Sequence, residues 1–252
     1  LKNAMEKKGL TVELTDKKPI KENYITLRLG NVSAPTNQSE AYHLEISANK
    51  IVLTANAPQG MYSGVQTLLQ LMRDAVFVDA TEITDWPAFT WRGFMVDVGR
   101  NYQSMKLLKQ QIDAMAAYKL NVFHFHPTED IAWRLQSKLY PQLTDPEFML
   151  RDKGEYYTEN DIKELINYCK ERYITFIPEI DMPGHSAAFK RAMGVDMQSD
   201  AGLEIVKNII KEFCATYDVP YLHLGADEVK ITNQKFLPEV IALTESLGKK
   251  VI

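Results

Sequence analysis

Asp227 and Glu228 are adjacent acids that follow an apolar run, Tyr221 to Leu224, and two small residues, Gly225 and Ala226. Successive side chains of a strand point to opposite faces, so both acids can reach one pocket only where a strand has ended. Polar residues recur at the same place after three other apolar runs: Arg100 after Phe94 to Val98, Thr128, Glu129 and Asp130 after Val122 to His126, and Asp181 and His185 after Thr175 to Ile180. Any one of them could be a helix cap or a surface ion pair, but the recurrence after four runs suggests a site. An acid can protonate a leaving oxygen, and an arginine among carboxylates can hold sugar hydroxyls through charge-assisted hydrogen bonds. That combination suits cleavage of a glycosidic bond. A carboxylate nucleophile has to stand about 5 Å from the acid, across the anomeric carbon, whereas sequence neighbours approach from one side. Asp227 is therefore poorly placed to attack. It could instead orient a nucleophile that the substrate carries, such as a 2-acetamido oxygen, while Glu228 serves as acid and then base.

The elements that would position these groups can be read from periodicity. After Asp85-Trp86-Pro87, short apolar runs alternate with amphipathic helices. Ile162, Leu165, Ile166 and Cys169 repeat at helical spacing behind a Thr158 cap, and Leu203, Val206, Ile210 and Phe213 do so in the next unit. The compact apolar strands suit a parallel sheet buried on both faces. No glycine-rich phosphate loop follows any of them, which disfavours a nucleotide-binding open sheet and favours a (β/α)8 TIM barrel, whose active face lies at the strand C-termini. A barrel takes about 250 residues, more than the stretch 84–252 supplies. The expectation is the first four to five barrel units, with Lys249 to Ile252 beginning a fifth strand, and no activity from the 252 residues alone. Residues 1–83 read as a small α+β domain. Strands are predicted at Tyr24 to Leu29, Tyr42 to Ser47 and Lys50 to Ala55, then a helix from Pro58 to Arg73 with Val65, Leu68, Leu69 and Met72 on one face. No reactive cluster falls there, which implies a structural role.

The 252 residues carry 29 Lys and Arg against 33 Asp and Glu, with basic residues scattered among acids, so a nucleic-acid partner is not expected. No apolar run approaches the ~20 residues of a membrane span. Cys169 and Cys214 fall in helical segments and read as small buried hydrophobes, not as a disulfide. The chain starts at Leu1, and the expected location is the periplasm or the exterior of a bacterium.

Four segments, WRGFMVDVGR at 91–100, NVFHFHPTEDIAWR at 121–134, PEIDMPGH at 178–185 and HLGADEV at 223–229, resemble the family 20 glycoside hydrolases, the beta-N-acetylhexosaminidases. The resemblance extends over nearly the whole chain, including the small domain that precedes the barrel in that family. It implies a substrate-assisted retaining hydrolase that removes terminal beta-linked N-acetylglucosamine or N-acetylgalactosamine from glycans, without metal or other cofactor. By position Glu228 matches the general acid/base and Asp227 the residue that holds the acetamido group. Arg100 matches the sugar-binding arginine, Asp181 and His185 match the acid and histidine behind the catalytic pair, and Glu129 stands where an aspartate is usual. Further departures are Pro127 for a leucine, Ala132 for a glycine, and Ala226 in a usual double glycine.

Two other readings compete. A metal-dependent barrel hydrolase could draw ligands from His124, His126, His185, His223 and Asp227, but it leaves Glu228 and Arg100 without roles. A non-catalytic carbohydrate-binding protein would need aromatic platforms, whereas Trp86, Trp91 and Trp133 surround the first two barrel strands and suit packing.

Overall fold

A computed structural model describes residues 1–17, 23–73 and 77–252. Their contacts divide the chain into two units, Leu1–Arg92 with Ala114–Leu120, and Gly93–Asp113 with Asn121–Ile252.

The first unit opens with a short helix, α1 (Lys2–Glu6), and carries strands β1 (Tyr24–Leu29), β2 (Tyr42–Ile46), β3 (Lys50–Ala55) and β4 (Thr81–Asp85) in the order β1-β3-β2-β4. β1 runs parallel to β3, while β2 is antiparallel to both β3 and β4. The three predicted strands are present. β4, which was not predicted, is the fourth member of the sheet, and the boundary placed at 83 falls inside it. Tyr42, Leu44 and Ile46 alternate inward and meet Leu53 and Ala55 beneath Leu68 and Met72, on and just after helix α2 (Pro58–Leu71). The helix lies close because Gly64 has no side chain: a β-carbon there would come within 2.4 Å of Leu53 Cδ1 and 2.9 Å of the Tyr42 ring.

In the second unit, β5 (Gly93–Asp97), helix α3 (Met105–Ala117), β6 (Val122–His126), α4 (Glu159–Lys170) and β7 (Thr175–Pro178) follow one another, with β5, β6 and β7 parallel and adjacent. Two helices, α5 (Ala187–Met193) and α6 (Asp200–Thr216), lead to β8 (Tyr221–Leu222), and α7 (Phe236–Ser246) leads to β9 (Lys250–Val251), which pairs in parallel with β8. A parallel bridge between Glu179 and His223 joins the two groups, with His223 N–H donating to the Pro178 carbonyl at 2.9 Å and Ile180 N–H to that of His223 at 3.0 Å. Strand order therefore equals chain order, and every parallel step is bridged by helix, as it must be.

The predicted helix faces are buried: Ile162, Leu165 and Cys169 on α4, and Leu203, Val206, Ile210 and Phe213 on α6. Thr158 closes a reciprocal cap with Asp161, and Ser199 accepts the Gly202 N–H. Both cysteines are free, and burial pushes the Cys169 thiol up to about 12, which leaves it an inert apolar group at neutral pH. Phe123, Phe125 and Phe176 form one face of the sheet, with ring centroids 5.4–6.1 Å apart, and His124 and His126 fall on the opposite face. Burial on both faces, expected of every strand, fails for β5. Phe94 and Met95 are about half exposed, because among the described residues β5 has a strand neighbour on one edge alone. Trp133 is buried, Trp86 packs against a small apolar cluster and Trp91 is half exposed, so packing is the job of most of the three, as expected.

Gly64 yields a direct test. Gly64→Val should lower stability by about 1–3 kcal/mol, the usual cost of overpacking a full core, since valine is no worse a helix former than glycine. Urea unfolding within ~0.5 kcal/mol of the parent would show that α2 can lift off Leu53 freely.

Candidate active site

Arg100, Glu129, Asp181, His185, Asp227 and Glu228 come together just beyond the C-terminal ends of β5, β6, β7 and β8. Arg100 is held first by Asp97, whose Oδ1 accepts its backbone N–H at 2.9 Å and whose Oδ2 accepts Nη1 at 2.6 Å. Its Nη2 pairs with the buried carboxylate of Glu129. The longer side chain at position 129 therefore reaches its partners.

His185 links the two halves of the cluster. Its Nδ1 lies 2.9 Å from Glu129 Oε1, and its Nε2 lies 3.5 Å from Glu228 Oε2 and 3.9 Å from Asp227 Oδ2. Nδ1 also lies 3.5 Å from Arg100 Nη2, so Arg100, Glu129 and His185 meet in one contact group while Nε2 faces the acidic pair. Asp227 and Glu228 are both largely exposed and face the same imidazole nitrogen, as their position past the strand end requires.

The turn that presents them is conformationally demanding. Gly225, Ala226 and Glu228 all have left-handed backbones, at φ 66°, 71° and 52°. For the two non-glycine residues this costs roughly 1 kcal/mol or more each, so surrounding contacts must impose it. Asp181 supplies one: its Oδ1 accepts the Ala226 N–H at 3.2 Å. The same oxygen would stand 1.9 Å from a β-carbon at position 225, so only glycine fits there. Asp181 is fixed in turn by Thr128 Oγ1, which accepts its N–H at 3.0 Å.

Three histidines converge on a carboxylate that the sequence reading did not single out, Glu179. His124 Nε2 and His126 Nδ1 reach Glu179 Oε2 at 2.7 and 2.6 Å, and His223 Nδ1 stands 3.1 Å from Oε1. Glu179 and Asp181 are two residues apart past β7, on the same side, and that spacing was the available signal. The ligand set of the rival metal reading is thereby divided: His124, His126 and His223 surround Glu179, whereas His185 and Asp227 belong to the other cluster. Side-chain atoms of His124, Glu179 and His223 lie within 4.8 Å of one another and could bracket an ion. The separations of 2.6 and 2.7 Å are instead those of shared hydrogens, since tetrahedral zinc with bonds of about 2.0–2.1 Å spreads its ligands to ~3.3 Å.

These two neighbouring acids are tuned in opposite directions. Burial would raise Glu179, but hydrogen bonds from the three histidines outweigh it and hold the carboxyl far below the usual range. Burial raises Asp181 to about 6, reinforced by the charges of Glu179 and Asp227 and opposed by the Ala226 N–H. Its Oδ2 is buried and makes no protein hydrogen bond among the described residues.

Residues 1–86 match the model of glycosyl hydrolase family 20, domain 2, and residues 89–199 that of the family 20 catalytic domain. The chain belongs to glycoside hydrolase family 20. A beta-hexosaminidase of Porphyromonas gingivalis is 34% identical over 76% of this chain and 29% of its own length, and one from Vibrio furnissii 34% over 77% and 38%. Among solved structures, the family 20 beta-N-acetylhexosaminidase of Streptomyces coelicolor A3(2) superposes with a TM-score of 0.80 at 29% identity, covering 91% of this chain and 54% of that one. The Vibrio harveyi exo beta-N-acetylglucosaminidase, solved in complex with N-acetylglucosamine, gives 0.79 at 27% identity, over 90% and 45%. This chain spans 29 to 44% of the length of the curated relatives it matches. The likeness assigns the strand–helix unit to a TIM-barrel catalytic domain and the first unit to the domain that precedes it. The catalytic-domain match ends at residue 199, ahead of Asp227 and Glu228.

Asp181 makes stability depend on pH in a defined direction. Its folded-state pKa of about 6 exceeds the ~3.9 of an unfolded aspartate, so the stabilisation is complete below pH ~4 and is lost as pH rises through 6, about 3 kcal/mol in all. Asp181→Asn should therefore gain about 2–3 kcal/mol on the parent between pH 4 and pH 7 in urea unfolding. Parallel stability curves would refute the assignment.

Proposed function

We propose that the protein of which this chain is a part removes terminal beta-linked N-acetylhexosamine from glycans by substrate-assisted retaining catalysis. In this reading β5 to β9 are the first five of eight strands in the barrel, and the rest of the sugar pocket comes from later units. The observation that carries the reading is the relay Glu129–His185–Glu228 beside Asp227, in which one imidazole is oriented by a buried acid at 2.9 Å and faces both members of the acidic pair.

The roles follow from placement. Glu228 protonates the leaving oxygen as the bond from the anomeric carbon breaks. The acetamido carbonyl oxygen attacks that carbon from the opposite face, and Asp227 holds the acetamido N–H and stabilises the positive charge of the resulting oxazolinium. Glu228, now a carboxylate, takes a proton from the water that reopens the ring, so the configuration is retained. His185, 2.9 Å from Glu129 and 3.5 Å from Glu228, fills the space behind the acidic pair and fixes where Glu228 stands as it gives up and regains its proton. Arg100, oriented by Asp97 and Glu129, presents a guanidinium to hydroxyls of the terminal sugar.

In the full-length protein a chromogenic N-acetylglucosaminide should be hydrolysed, and its 2-hydroxy analogue should not. Glu228→Gln should lower kcat by about 10²–10⁴-fold, with KM changed little. Equal turnover of both sugars would refute substrate assistance, and sugar binding without any hydrolysis by the parent would favour a carbohydrate-binding protein.

A further inference from the structure

Arg134 is the largest wholly buried side chain among the described residues, and its positive charge faces carbonyl oxygens in place of a close carboxylate. Nε donates to the Gly99 carbonyl at 3.1 Å, Nη1 to those of Asp152 at 3.1 Å and Glu155 at 2.8 Å, and Nη2 to that of Arg151 at 3.0 Å. The nearest acid oxygen, Asp152 Oδ2, is 3.7 Å away. Desolvating a guanidinium is expensive, and four carbonyl acceptors from two separated segments offset that cost only while those segments and the run that carries Arg134 keep their places, three segments in all. The segments are the backbone just before Arg100, the strand-like run that carries Arg134 itself, and the 151–155 loop.

That loop returns to the site through a second arginine. Exposed Arg151 donates Nη1 to the Arg100 carbonyl at 3.3 Å and to Asn101 Oδ1 at 2.8 Å. Arg134 thus grips residue 99 directly and grips Arg151, which grips residues 100 and 101. The Arg100 side chain is fixed by Asp97 and Glu129, but those bonds set where the guanidinium points only if its backbone is held. We propose that Arg134 and Arg151 are positioning residues that set the place of the Arg100 guanidinium and so the affinity of the site for its terminal sugar. The affinity part rests on the function proposed above. A lysine could not replace Arg134, because one ammonium with three donors cannot span four acceptors arrayed around a planar fork.

The test uses the full-length protein and does not depend on Arg134 variants folding, because Arg151 is a surface residue. Arg151→Met should raise KM for the N-acetylglucosaminide about three- to tenfold with kcat within about twofold, and Arg134→Lys, if it folds, should raise KM further. In an Arg100→Lys background Arg151→Met should add nothing, since it acts through Arg100. A readout without substrate is hydrogen exchange of the Arg100 backbone N–H, bonded to Asp97 at 2.9 Å, which should accelerate severalfold in Arg151→Met. Unchanged exchange with unchanged KM overturns the proposal, as does a full KM effect in the Arg100→Lys background. Accelerated exchange in a parent protein that neither binds nor cleaves the sugar would refute the glycosidase reading and leave the positioning of Arg100 established.

Discussion

A carboxylate buried at the end of β7 is the constraint around which the strand–helix unit is arranged. Glu179 receives His124 and His126 from β6 and faces His223 beyond β8, so one anion joins three consecutive strands. A charge removed from water is tolerable only when hydrogen bonds replace its solvation, and three imidazoles do so here. Placing those imidazoles requires that β6 turn alternate residues inward, that β8 lie beside β7, and that both strands keep parallel register. His126, itself buried, binds its proton more tightly than a free histidine: burial opposes this, and the Glu179 contact prevails.

Two residues further on, the same chain direction presents Asp181 to the turn that carries Asp227 and Glu228. One acid is saturated with donors and the other is starved of them, which is why similar burial drives their pKa values apart. Asp181 also fastens the left-handed turn that carries Asp227 and Glu228. The strain in that turn and the proton affinity of Asp181 are therefore linked through one hydrogen bond to Ala226. His223 Nδ1 adds a further constraint, lying 3.0 Å from the Gly225 N–H and 3.1 Å from Glu179. It can accept from the first or donate to the second, so the position of a single hydrogen decides which neighbour it holds.

Much of this was legible in the residues. Helical spacing located α4 and α6 because their apolar faces pack directly on the sheet, and Thr158 marked its cap correctly because capping is a local interaction. The place of Arg100, Glu129, Asp181, His185, Asp227 and Glu228 after apolar runs was enough to group them, since parallel strands in a barrel put all such positions on one side. Glu179, Asp97, Arg134 and Arg151 were passed over. Asp97 had its partner Arg100 three residues on and Glu179 had the spacing to Asp181, but the roles of Glu179, Arg134 and Arg151 arise from contacts with residues far along the chain, as Glu179 does with His124. Strand β4 was missed because its Thr81, Glu82 and Thr84 alternate with a single large apolar residue, Ile83, and its pairing with β2 is what makes it a strand.

By itself, then, the sequence determined the alternation of strands and helices in the second unit, the strand ends at which chemistry could collect, and the type of chemistry those side chains support. These are consequences of periodicity and residue type, which act over a few positions. Only the tertiary structure decided which acid would be stripped of donors and which surrounded by them, which histidine would face the acidic pair, and which buried arginine would hold the backbone beneath Arg100. Those outcomes depend on desolvation and on hydrogen-bond partners brought together by folding, and neither has a trace in local sequence.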